Sequence, residues 1–151
     1  MPKNRLKGTY CLIIQLKSQQ NIKIGRLGEI DFKRGYYVYV GSALNSLKSR
    51  LERHLKDDKK LFWHVDYLLN NPDANVEDVV FAVSDEKWEC SLAAHISKEG
   101  SEIHAFGCSD CKCPSHLFYF QDLEGSKRVC LESFEKLGLK PLDLSDLERL
   151  S

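Results

Sequence analysis

At 151 residues the chain is long enough to bury a real hydrophobic core as one domain. Its 22 Lys and Arg balance 22 Asp and Glu, which argues against a uniformly basic glove for nucleic acid. The balance is uneven along the chain: residues 1 to 60 hold 14 basic against 5 acidic side chains, and residues 61 to 151 hold 8 against 17. Such polarity suits one face that attracts a phosphate backbone, and equally two oppositely charged surfaces folded against one another. No stretch has the charged, apolar and small-residue order of a signal peptide, and none approaches the ~20 apolar residues needed to cross a bilayer. A cytoplasmic protein with mostly reduced cysteines and no membrane partner is expected.

The first element is a strand over Tyr10 to Leu16, rich in β-formers, with Tyr10, Leu12 and Ile14 on one face. Residues 17 to 21 form a polar turn, Ile22 to Ile24 a short return strand, and Gly25 to Gly28 an irregular stretch. Gly35 opens a second strand, in which Tyr37 and Tyr39 share one face while Tyr36, Val38 and Val40 share the other. A helix follows over Leu47 to Lys56, striped by Leu47, Leu51 and Leu55 and bordered by Arg50 and His54. Trp63 to Leu69 reads as a second short helix, ended by Asn70-Asn71-Pro72. Val76 to Val83 is a strand and Asp85 to Lys98 a helix that buries Leu92, Ala93 and Ile96, with Glu89 on the same flank. Two short strands, Ile103 to Phe106 and His116 to Phe120, surround a cysteine-rich turn at 107–117. A helix over Lys127 to Leu137 and a charged tail from Pro141 complete a helical and tail segment at 127–151. The class expected is α+β, with a small mixed, largely antiparallel sheet flanked by helices.

The tyrosines, a guanidinium, an imidazole and a carboxylate suggest a site that handles phosphate. A free tyrosine hydroxyl titrates near ~10 and is a poor base, but a neighbouring cation or metal favours the phenolate. Tyr10 held beside Arg50 is thus a candidate proton acceptor, and Arg50 a candidate partner for the nonbridging oxygens of a phosphodiester. Glu89 offers the hard carboxylate that suits Mg²⁺ or Mn²⁺. Each residue also has a plainer role: edge packing for Tyr10 and Tyr39, a solvated helix face for Arg50, a satisfied helix flank for His54, a first-turn acid for Glu89.

Gly8-Thr9-Tyr10 and Tyr39-Val40-Gly41 resemble the two tyrosine motifs of the GIY-YIG nucleases, with Thr and Val where those motifs carry Ile. In that family an arginine and a histidine or tyrosine follow on the first helix, where this chain has Arg50 and His54, and a later metal-binding glutamate matches Glu89. The Ile24-to-Gly35 segment lengthens the connection between the motifs. A narrower similarity, to the DUF123 or Uri-like branch, rests on four runs. They are residues 35–43, Arg53-His54-Leu55, residues 63–68, and Cys108-Ser109-Asp110-Cys111-Lys112-Cys113-Pro114-Ser115-His116-Leu117-Phe118. The resemblance implies a hydrolase, a metal-dependent DNA endonuclease. Tyr10 would be its general base, Tyr39 a supporting hydroxyl, Arg50 and His54 catalytic, and Glu89 the Mg²⁺ ligand. DNA, branched and damaged forms included, is the implied partner, although a backbone-directed site does not itself distinguish DNA from RNA. A nucleic-acid-binding module without turnover and a zinc-stabilised adaptor for proteins are the alternatives.

Lys48, Arg53, Lys59, Lys60 and His64 are the candidate nucleic-acid-binding residues, His64 being equally suited to a hydrogen-bonded helix contact. Cys108, Cys111, Cys113 and His116 offer three thiols and an imidazole within nine residues, a donor set that suits structural zinc and fits packed free thiols as well.

Overall fold

The computed structural model describes residues 6–56, 60–107 and 113–150. Strand β1 (Gly8–Leu16) lies inside a six-stranded sheet with the order β6-β7-β4-β1-β5-β8. Its neighbours are β4 (Gly35–Ala43) and β5 (Ala74–Val83), both antiparallel to it. Beyond β4 come β7 (Leu117–Phe120) and β6 (Ser101–Glu102), and beyond β5 comes β8 (Leu142–Asp143). The segment between the tyrosine motifs forms a separate antiparallel hairpin, β2 (Gln20–Ile24) and β3 (Gly28–Phe32), joined by a 3-10 turn at Gly25–Leu27. The α+β class, with a largely antiparallel sheet flanked by helices, is the one expected, and each described pairing is antiparallel.

The alternation in β1 explains why the sheet is covered on both faces. Tyr10, Leu12, Ile14 and Leu16 enter one core, where helices α1 (Leu47–Leu55) and α2 (His64–Leu69) bring Leu47, Leu51, Val65 and Leu68. The hairpin adds Ile22, Ile24 and Phe32 to this core. Cys11 and Ile13 point the other way, into a core closed by α3 (Glu89–Ile96) and α4 (Leu123–Lys136) through Leu92, Ile96, Val129 and Phe134. A strand buried on both faces reads as a continuous apolar run, which Cys11-Leu-Ile-Ile14 is.

Several elements differ from expectation, among them β3, a strand where none was expected, and α4, which starts at Leu123 rather than Lys127. Helix α3 starts at Glu89 rather than Asp85, leaving Lys87 in the turn before it. Residues 103–106 form a turn instead of a strand; Ile103 and His116 hydrogen-bond across it to Leu117 and Phe106. The charged C-terminal segment is folded: β8 pairs with β5, and a 3-10 turn at Leu144–Arg149 buries Leu147. Leu147 and Leu150 are only 6% and 8% exposed, so two apolar residues among charges suffice to anchor it.

Candidate functional site

The register between β1 and β4 sets Tyr10 opposite Gly41 and Leu12 opposite Tyr39. Tyr10 lies across Gly41 so closely that a Cβ there would stand 2.5 Å from the hydroxyl and 2.6 Å from Cζ. The glycine of the second motif is therefore the floor on which the tyrosine of the first one rests. The hydroxyl of Tyr10 meets Nε2 of His54 at 2.8 Å, in a buried contact from the last turn of α1. Ser46 caps that helix by accepting from the backbone N–H of Ser49, which fixes where Arg50 and His54 emerge.

Arg50 donates through Nη1 to the carbonyl of Ser42 at 2.9 Å, and its guanidinium lies over the Trp63 ring, 4.4 Å from the centroid. Arg53 lies 4.3 Å from the same ring centroid. Both Arg53 Nη atoms also donate to Asp66, each at 2.9 Å. Asp66 accepts further bonds from the backbone N–H groups of Phe62 and Trp63. Burial pushes the Asp66 carboxyl up, but the Arg53 bonds and the Trp63 and Phe62 amides outweigh it, and the net pKa lies below the usual value. This buried knot holds Trp63 in place, and Trp63 in turn supports Arg50.

A cleft of about 530 Å³ opens beside these groups. Tyr10, Tyr39, Arg50, His64, Lys87, Glu89 and His116 all line it, so Tyr10, Tyr39, Arg50 and Glu89 share one cavity. His54 sits behind Tyr10, 2% exposed. Burial drives the Tyr10 pKa up, opposed by the charge and hydrogen bond of Arg50, and the outcome is about 12. Burial, with Tyr10 and Glu89 nearby, also holds the Tyr39 hydroxyl well above its usual range. Both tyrosines are therefore protonated at neutral pH. His64 accepts from the backbone N–H of Gly107 through Nδ1 at 2.8 Å, and burial lowers its pKa. The neutral ring then carries its proton on Nε2.

The basic residues distribute differently. Lys48 and Arg53 line a separate groove between α1 and the C-terminal segment, so neither is brought to the cleft. Lys60 is exposed and its carbonyl accepts from Arg53; Lys59 lies outside the described residues. Lys87 is a charged cleft residue that the sequence motifs pass over, and Trp63, though within one of the similar runs, does not stand out there as a support for Arg50. Lys87 precedes Glu89 by two positions, and an earlier helix start hides its place in a turn.

A second cluster adjoins the cleft. Cys90, Cys113 and His116 bring their ligand atoms within 4.8 Å of one another, a Cys₂His group able to hold a metal ion. Cys90 and Cys113 are paired as a disulfide, with Cα atoms 6.1 Å apart, whereas Cys11 and Cys130 are free and buried. Cys113 and His116 belong to the donor set expected from the sequence. Cys108 and Cys111 lie outside the described residues, and Cys90 joins from α3, 23 residues away, which local spacing cannot reveal. Glu89 faces this cluster, its Oε2 being 4.0 Å from His116 Nδ1.

Fold and site together define an α+β protein with a polar, tyrosine-floored cleft and an adjoining metal-competent cluster. Residues 9–139 match the family described as Domain of unknown function DUF123, and the chain belongs to that family. No curated protein and no solved structure matches the chain. No helix among the described residues is long and apolar enough to cross a membrane.

Proposed function

We propose that the chain is a metal-dependent endonuclease of the GIY-YIG type that hydrolyses phosphodiester bonds in DNA. The observation that carries this reading is the shared cleft: Tyr10, Tyr39, Arg50 and Glu89 line one cavity although they come from β1, β4, α1 and α3. Ser42 also lines it, and its carbonyl accepts from Arg50 Nη1 at 2.9 Å, which ties the guanidinium to the cleft wall.

A phosphate in this cleft pairs with Arg50, which is aimed by the Ser42 carbonyl and the Trp63 ring. The raised pKa of Tyr10 means that a standing phenolate is not the base. The 2.8 Å contact with His54 supplies a route instead. As water attacks phosphorus, its proton passes to Tyr10 Oη while the tyrosine proton passes to Nε2 of His54, which becomes imidazolium. The ester P–O bond breaks, the departing alkoxide oxygen takes a proton from solvent water in the cleft, and the imidazolium proton returns through Tyr10 to solvent. Tyr39 orients the water through its neutral hydroxyl. Among the described residues lining the cleft Glu89 is the sole carboxylate. With two tyrosine oxygens nearby, it fits an ion that keeps most of its waters. Mg²⁺ or Mn²⁺ would be held by Glu89 and would supply Lewis-acid stabilisation of the charge that develops on the phosphate.

The Cys₂His cluster favours a second reading, a zinc-stabilised module that binds nucleic acid or protein without turnover. A nicking assay with Mg²⁺ or Mn²⁺ over single-stranded, branched, flapped and damaged DNA, with matched RNA, separates the two. Turnover lost in Tyr10→Phe and Glu89→Gln supports the nuclease. Binding without turnover supports the module, and stoichiometric zinc with no nucleic-acid affinity supports a protein adaptor.

A further inference from the structure

Cys90 is the second residue of α3, Cys113 precedes Pro114 on the approach to β7, and His116 is the residue before that strand. The backbone around His116 is fixed from two sides. Its N–H donates to Phe106 and its carbonyl accepts from Val40, each at 2.9 Å, and the residue is 3% exposed. Helix α3, by contrast, has Trp88 at its N-cap with no side-chain cap hydrogen bond. Its first turn carries Glu89, the carboxylate of the cleft, and Cys90 joins that turn to the approach of β7 through Cys113.

We infer that Cys90, Cys113 and His116 form a Zn²⁺ site in the reduced protein that fastens the first turn of α3 to the approach of β7. Two thiolates and an imidazole are the borderline-soft donors zinc prefers over Mg²⁺ or Ca²⁺. Zn–S near ~2.3 Å and Zn–N near ~2.0 Å set tetrahedral ligand atoms roughly 3.5–3.8 Å apart. The three ligand atoms already lie within 4.8 Å of one another. A bare disulfide between Cys90 and Cys113 needs no imidazole, whereas the convergence of His116 on both sulfurs is what a metal requires. An imidazole also has two nitrogens, so His116 ligates through one and presents the other to a neighbour. Glu89 Oε2 lies 4.0 Å from Nδ1, an ion-pair distance rather than a hydrogen bond.

This soft site is separate from the hard-cation role of Glu89, and it stands whether or not the cleft cleaves phosphodiesters. It places Glu89 by chain connectivity: zinc on Cys90 fixes the backbone of the preceding residue. A protein with zinc removed keeps its sheet and loses the alignment of one cleft wall.

The test is a titration of the reduced, metal-free full chain with Co²⁺, followed by Zn²⁺. One equivalent of Co²⁺ per chain, with thiolate-to-cobalt charge-transfer absorption displaced by Zn²⁺, is expected. Cys90→Ser should weaken binding by more than the roughly 10–100-fold typical of an outer-shell loss. Arg50→Ala should keep the cobalt band in full, so a failed nuclease reading leaves this result readable. Alkylation of the unsubstituted chain, mapped by mass spectrometry, gives a readout that no variant's folding can blur: Zn²⁺ should shield both Cys90 and Cys113. No stoichiometric binding by the reduced chain, an unchanged band in Cys90→Ser, or Cys90 alkylated equally with and without Zn²⁺ each overturns the inference.

Discussion

Tyr10 keeps its proton because burial outweighs the pull of Arg50, and its oxygen is already in hydrogen-bond contact with an imidazole. In the proposed nuclease the two side chains work as one relay, so their losses should not add. Tyr10→Phe and His54→Gln are each expected to cut the cleavage rate by about 10²–10⁴-fold, the range for general acid–base groups. The double variant should be little worse than either single one, and a double-mutant cycle on kcat/KM measures the difference. Gly41 belongs to the same geometry. Gly41→Ala puts a methyl 2.5 Å from the Tyr10 hydroxyl, so the ring must move off His54. It should cost about 1–3 kcal/mol of stability in urea titrations, as overpacking does, and lower cleavage as well. Tyr10, Tyr39 and Arg50 were legible as cleft residues because each sits at a short offset from a glycine motif or a helix start, whereas Glu89 has no such motif beside it and rested on its helix flank and the family resemblance. Trp63 as a support for Arg50 and Cys90 as a partner of His116 were not legible. Both act across long chain separations that only the tertiary fold closes.

Among the elements, α1 and α2 share one core and are tied by the Arg53–Asp66 pair. The Asp66 side chain is 0% exposed, with Arg53 on one side and two backbone amides on the other. Asp66→Ala strands all three donors and should lower the unfolding free energy by on the order of 3 kcal/mol, measured by urea denaturation. The carboxyl pKa is depressed in the folded state, so the unfolded state binds its proton more tightly. The stabilisation is therefore complete above the ordinary Asp value near ~3.9 and is lost as pH falls through the lower folded value. Acid titration should show Asp66→Ala converging with the parent chain at low pH. The C-terminal segment makes a different point. Its charges suggested a tail, yet Leu147 is buried against the α1 side of the sheet. Leu147→Ala should cost about 2–3 kcal/mol, a cavity-forming loss that a tail residue does not show. Alternation in β1 and β4 and the leucine stripe of α1 were readable because period 2 and period 3.6 are local. Where α3 begins, and whether 142–149 pairs, depends on what β5 leaves open at the sheet edge.

At the scale of the whole molecule, the division between a basic first part and an acidic second part does not become one basic surface. Arg53 is neutralised by Asp66, and Lys127 by Asp78 and Asp143. What faces the cleft is Arg50 and Lys87 with Glu89 among imidazoles and hydroxyls, two cations and one carboxylate rather than a long basic track. Affinity for a polynucleotide should therefore rest on few phosphate contacts. The most direct test of this account is Mg²⁺-dependent nicking by the purified chain, run beside Glu89→Gln and Tyr10→Phe across the DNA and RNA panel. The account predicts turnover by the parent chain that needs the divalent ion and falls at least about 100-fold in both variants. Cleavage that persists in both, or no cleavage of any substrate by the folded parent chain, would contradict it.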